Sequence, residues 1–198
     1  MELNTQNLLY MFQTMPYFIV LYFCFQSIFN QDFKGLIYLV GLFLSIFSVI
    51  NIGNISFIKN LVSTNSTNKN TASMCPSFDL LKTGITSFLP IGDNILSYTF
   101  FYILYIILKY KIIGLNIGTI ILFTILIISN LFINLTYKCN DIFASIFSIL
   151  IGGMIGLFWA FVIDKTAKVD LQLFSGISNK VVCSRPSRTI YRCRIKNK

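Results

Sequence analysis

The chain is predicted to be an all-α, multi-pass membrane bundle of about five spans, on three observations. Five apolar stretches, residues 8–29, 35–58, 89–108, 112–133 and 142–163, fill most of its 198 residues. A spanning helix needs about 20 mainly apolar residues, and each stretch comes close to that. Hydrophobic residues make up 55% and charged residues 12%, too few charges for a soluble domain of this size. Hydrocarbon offers backbone amides no partner outside their own segment, so stretches that cross it fold as helices.

The first stretch lacks Lys and Arg before it and has no Ala-x-Ala-like site, so it is read as a retained span and not a cleaved signal. It holds Cys24, assigned to packing. The second stretch ends near Ile58 and opens a long loop, residues 59–88. The loop begins as a polar linker (61–72, LVSTNSTNKNTA) and continues as MCPSFDLLKTGITSFLPIGDN, where Pro76, Gly84, Pro90 and Gly92 break regular helix. That piece is expected to lie along the membrane surface or dip into it. The third and fourth stretches are joined by the short turn at Lys109–Lys111. The fourth and fifth are joined by residues 134–141, which contain YKCND. The fifth carries Gly152 and Gly156, a Gly-x-x-x-Gly spacing that lets helices approach closely; it is assigned to packing within the bundle. The two irregular loops share one end of the bundle, a usual place for a site in a membrane protein.

Charge sets the expected orientation. With five spans, one side receives Lys34, Lys109, Lys111 and every basic residue from Lys165 onward; the other receives only Lys59, Lys69, Lys82 and Lys138. The positive-inside rule places the richer side in the cytoplasm, with the N-terminus lumenal or external. Asn-x-Ser/Thr sequons at Asn54, Asn65 and Asn134 fall on or near the outer side. Asn65, in mid-loop, is the candidate glycosylation acceptor, and the other two lie close to the membrane.

The blocks PIGDNILSYTFFYILY (90–105) and YKCNDIFASIFSILIGGMIG (137–156) resemble the middle and last blocks of the type 2 phosphatidic acid phosphatase superfamily. Their order, and the two spans between them, match the layout of that family. More narrowly, CPSFD followed by a Pro-led span resembles degenerate members encoded by large eukaryotic DNA viruses. The likeness covers residues 74–163. In the family, a His attacks phosphorus, an Asp orients it, a second His protonates the leaving alcohol, and Lys and Arg hold the phosphate. The resemblance puts the orienting Asp at Asp141, the nucleophile position at Tyr137 and the acid position at Asp93. Ile91 stands for the Ser of the middle block, while Gly92 keeps its Gly. The Arg of the last block falls near Leu131. The first block has at best Lys69 and Pro76, with Cys75 in place of its Arg.

The chain contains no His, and no Arg before Arg185. No shift of alignment restores the missing groups, so the resemblance implies a family scaffold without the reaction. The expected role is structural, in a viral (virion inner) membrane. The alternatives are an active lipid phosphatase with atypical residues, or a lipid-binding or transport protein that keeps the cavity. No cofactor is expected.

Asp93 and Asp141 are paired-carboxylate candidates, against a plainer reading in which each caps a helix N-terminus. Cys75 and Cys139 lie in the outer loops, where an oxidising lumen permits a disulfide. Cys183 and Cys193 face the reducing side and are expected to stay thiols outside an assembled particle; two Cys without His make no zinc site. The tail from Asp164 carries nine basic and two acidic residues. Its end, VVCSRPSRTIYRCRIK, alternates as a small basic hairpin with SRPSR as the turn. It is expected either to lie on anionic membrane lipid or to dock an acidic partner such as a capsid or other virion protein. Nucleic acid is disfavoured, since aromatic interleaving is limited to Tyr191.

Overall fold

The computed structural model describes residues 5–29, 34–56, 58, 89–136, 141–166, 181–184 and 192–195. Among the described residues, the five helices are α1 (Thr5–Phe29), α2 (Lys34–Gly53), α3 (Ile91–Lys109), α4 (Ile113–Thr136) and α5 (Ile142–Thr166). Two short strands, β1 (Val181–Ser184) and β2 (Arg192–Ile195), pair antiparallel. The protein is an all-α, multi-pass helical bundle with a small C-terminal hairpin. The long loop, with Asn65 and Cys75, and the segment holding Tyr137 and Cys139 lie outside the described residues.

Among the described residues, four of the helices, α2 to α5, are long and apolar enough to cross a bilayer. α1 is a single helix of 25 residues with no charged side chain, about 38 Å long at 1.5 Å per residue against roughly 30 Å of hydrocarbon. α2 stops short of the expected Ile58, at Gly53.

The outer surface is that of a protein solvated by lipid. Large apolar side chains point outward along every helix, among them Phe25 and Phe29 of α1, Phe43 and Phe47 of α2, Ile121, Ile128 and Phe132 of α4, and Met154 and Phe158 of α5. In water such a surface would drive aggregation; in hydrocarbon it costs nothing. The interior holds the polar groups instead: Ser45, Asp93, Asn94, Ser97, Thr99, Asn130, Asn134, Ser145 and Ser148 are all buried.

α3 is the most enclosed helix and the hub of the bundle. Its main partner is α5, and the two run parallel. Glycine makes that approach possible. A Cβ on Gly152 would lie 2.6 Å from the Asn94 carbonyl oxygen, and one on Gly156 would lie 2.5 Å from that of Tyr98. The Gly-x-x-x-Gly spacing of α5 is therefore spent inside the chain, as expected. Gly41 of α2 has the same role against the Tyr98 hydroxyl and the Trp159 ring. Aromatic packing closes the middle of the bundle: the Tyr38 ring lies 5.0 Å from that of Phe23, 5.5 Å from Tyr98 and 5.5 Å from Tyr102.

α3 and α4 are joined by a tight turn. The Ile112 amide bonds the Ile107 carbonyl at 3.1 Å and the Lys111 amide bonds that of Leu108 at 3.2 Å, the pairing of a Schellman cap. Lys111 takes the left-handed position at φ 54°, where glycine is usual. Asn116 then breaks the regularity of α4, at φ −119° and ψ 17°. Its side-chain amide donates to the Ile112 carbonyl at 3.2 Å.

Candidate functional site

Asp93 sits in the first turn of α3, after Pro90, which occupies the N-cap and offers no side-chain cap. The capping role expected for Asp93 is not the one observed. Its carboxyl turns sideways to α4, where Asn130 and Asn134 stand one turn apart and present their amides to it. The Asn130 Nδ2 donates to Oδ1 at 2.5 Å, and the Asn134 Nδ2 donates to Oδ2 at 3.2 Å. Both oxygens accept, the pattern an ionised carboxyl demands. Asp93 is 2% exposed, and among the described residues no cation pairs with it. Buried charge needs compensation; here two neutral amides and the positive end of α3 supply it.

Ser145 of α5 borders the same group. Its hydroxyl is close enough to act on the Asp93 carboxyl, yet it is buried and completes no hydrogen bond of standard geometry. Asp141 stands one turn earlier, immediately before α5, and its carbonyl accepts the Ser145 amide at 3.0 Å. That is the backbone bond of an N-cap residue. Its Oδ2 is buried without a hydrogen-bond partner among the described residues. Asp93 and Asp141 thus lie at the same end of the bundle on the two helices that pack most closely. Their surroundings differ: Asp93 is enclosed, whereas Asp141 is half-buried at the rim.

A chain of hydrogen bonds continues inward from Asp93. Asn94 accepts from the Ser45 hydroxyl at 2.9 Å and donates to the Ser148 carbonyl at 3.4 Å. Ser148 donates back to the Pro90 carbonyl at 2.6 Å, and Ser97 donates to that of Ile149 at 2.6 Å. Thr99 spends its one proton on the Ile95 carbonyl, so the Tyr38 hydroxyl is the donor in the 2.6 Å Tyr38–Thr99 bond. The Tyr98 hydroxyl and the Trp159 Nε1 donate to the Tyr38 and Ile37 carbonyls of α2, at 3.1 and 3.0 Å. At the far end, Lys109 forms an ion pair with Asp164, which also accepts from the Tyr105 hydroxyl at 3.4 Å.

Among the described residues, this interior binds helix to helix. A shallow apolar groove between α3 and α4, lined by Phe100, Leu104, Ile120 and Phe123 among others, has no room for a water molecule. It lies away from both carboxylates. Among the described residues, no group of three or more His, Cys, Asp or Glu side chains could hold a metal ion.

Of the positions assigned to chemistry, the structure places Asp93 and Asp141 at one end of the bundle. Asn130 is a member of the cluster that the motif blocks did not mark, and Asn134 entered the reading only as a sequon. Their signal was present: two asparagines four residues apart in an otherwise apolar stretch fall on one helix face. Asn134 is buried against Asp93, which removes it as a glycosylation acceptor in the folded state.

The fold and its lipid-facing surface define the class: an integral membrane protein with several helical spans. Compared with known protein families, curated proteins and solved structures, the chain matches none.

Proposed function

We propose that the protein is a non-catalytic membrane component, a phosphatase-like bundle in which the acid position has become a structural clamp. The observation that carries the reading is the occupation of both Asp93 oxygens by Asn130 and Asn134. A general acid must reach the leaving oxygen of its substrate, and a 2% exposed carboxyl held by two side chains has no free face to offer. The sequence adds weight, with no His in the chain and every Arg in the tail. An acyl-glycerol phosphate would find no guanidinium in the bundle to grip it.

The test is phosphate release from phosphatidic acid by the purified protein in lipid nanodiscs. The expected rate equals that of empty nanodiscs. Release above that rate, abolished in Asp141→Asn, would establish an enzyme and overturn the reading.

The resemblance also supports a place in the inner membrane of a large DNA virus, with the basic tail facing capsid or other virion proteins. Co-purification with membrane-containing particles through a density gradient is expected; exclusive recovery in host endomembranes refutes it. The orientation proposed is tail inward and the 59–88 loop outward. The basic asymmetry that supports it is independent of whether α1 crosses, because no Lys or Arg precedes Lys34. Addition of glycan at Asn65 in microsomes, lost in Asn65→Gln, is the expected readout; protection of the loop from the lumenal enzyme reverses the assignment.

A further inference from the structure

In the C-terminal hairpin, Cys183 of β1 stands directly opposite Cys193 of β2, flanked by the pairs Val182–Arg194 and Ser184–Arg192. Directly opposed residues of an antiparallel pair lie on the same face, with Cα atoms about 5.5 Å apart at hydrogen-bonded positions and about 4.5 Å at the others. Both spacings fall within the range of roughly 4.4–6.8 Å that a disulfide spans. The register therefore satisfies the geometric requirement whichever kind of position the pair occupies. Period-two alternation puts Val181, Cys183, Cys193 and Ile195 on one face of the ribbon, and Val182, Ser184, Arg192 and Arg194 on the other.

We propose that Cys183 and Cys193, thiols while the tail faces the reducing cytoplasm, form an intrachain disulfide that staples this hairpin once the tail is enclosed in an assembled particle, made by exchange with a small-molecule disulfide of the glutathione type; the setting rests on the place proposed above. One cysteine thiolate attacks the small disulfide, forming a mixed disulfide and releasing one thiol. The second cysteine thiolate then attacks the protein sulfur of that bond and releases the second thiol. The protein loses two electrons and two protons, and the small disulfide gains them. The physical need is plain: a two-stranded ribbon of four-residue strands is marginal in water on its own, and a crosslink that closes the 183–193 loop restricts the unfolded tail. Stapling holds Arg192 and Arg194 on one face of a fixed ribbon.

The test uses the full-length protein in detergent, with Cys75→Ser and Cys139→Ser so that the loop cysteines cannot exchange. It is equilibrated across reduced and oxidised glutathione ratios, quenched with N-ethylmaleimide and digested with trypsin. Trypsin does not cut between Arg185 and Pro186, so the linked product joins VVCSRPSR (181–188) to CR (193–194). A register control, Cys193→Ser with Arg194→Cys, moves the second thiol opposite Val182 and onto the other face. The native pair is expected to oxidise with an equilibrium constant at least about tenfold larger than that of the control. Equal constants mean that the tail closes as a flexible loop without this register and overturn the proposal. Recovery of only glutathione adducts or separately alkylated cysteines, with no linked peptide, also overturns it.

Discussion

Replacing Asn130 by leucine removes the shorter of the two amides that hold Asp93 while keeping volume and hydropathy suited to α4. Side-chain hydrogen bonds between membrane helices are worth on average about 0.6 kcal/mol and at most about 1.7 when both groups are neutral. A charged acceptor roughly doubles that. The 2.5 Å Asn130 bond should therefore carry about 2 kcal/mol and the 3.2 Å Asn134 bond about 1 kcal/mol. The double replacement strips both amides from a carboxyl that is 2% exposed, at a cost of about 3 kcal/mol, the two bonds together. Adding Asp93→Leu should recover most of that loss, because an apolar trio needs no partners. The assay is equilibrium unfolding in mixed micelles, followed by the fluorescence of Trp159, the chain's single tryptophan. Its indole bonds α2, so it reports α2–α5 separation. If Asn130→Leu is as stable as wild type, or if the triple variant is no better than the double, the clamp does not hold the bundle. The case for a structural Asp93 then fails with it.

Three other outcomes follow from the packing. Gly156→Val should lose about 3 kcal/mol or fail to fold, since its first added carbon already meets the Tyr98 carbonyl at 2.5 Å; Gly118→Val, whose Cβ has nothing within 4 Å, should stay within ~0.5 kcal/mol in the same unfolding assay. Lys111→Gly should be neutral or stabilising by up to about 1 kcal/mol, because the left-handed conformation penalises a side chain there; a clear loss of melting temperature would show that the lysine side chain has a role the turn does not reveal. Lys109→Met should cost more than Asp164→Asn, roughly 2 against under 1 kcal/mol, since the first takes this cation from an 8% exposed carboxylate whereas the second leaves a 38% exposed ammonium that water can reach. The reverse order in thermal melts would contradict that burial argument.

Hydropathy read the helices well because lipid imposes a one-dimensional requirement. Each of the five apolar stretches carries one helix, and the hairpin strands stand on either side of SRPSR. The same signal marked α1, a 25-residue helix without a charged side chain. It was blind to which face of each helix turns inward. Asp93 read as a cap because it stood near a predicted helix start, but the helix begins two residues earlier, at Ile91. Its partners lie about 40 positions further on, a pairing that only the antiparallel return of α4 reveals. Ser45, Asn94, Ser97 and Ser148 were scattered singly through apolar runs, with no spacing in the sequence to mark them as one network. Gly92 was grouped with the loop breakers; it lies within the first turn of α3, where, among the described residues, only the Pro16 ring comes near it.

The parallel contact between α3 and α5 has a consequence for biogenesis. The residues that satisfy Asn94 and Ser97 belong to α5, which leaves the ribosome after the whole of α4. Until then the nascent chain must hold a helix with unmet amides and hydroxyls beside acyl tails or within the translocation machinery. Synthesis stalled before Ser148 would leave that helix poorly anchored, and such a fragment would be marked for quality-control degradation by its own incomplete interior.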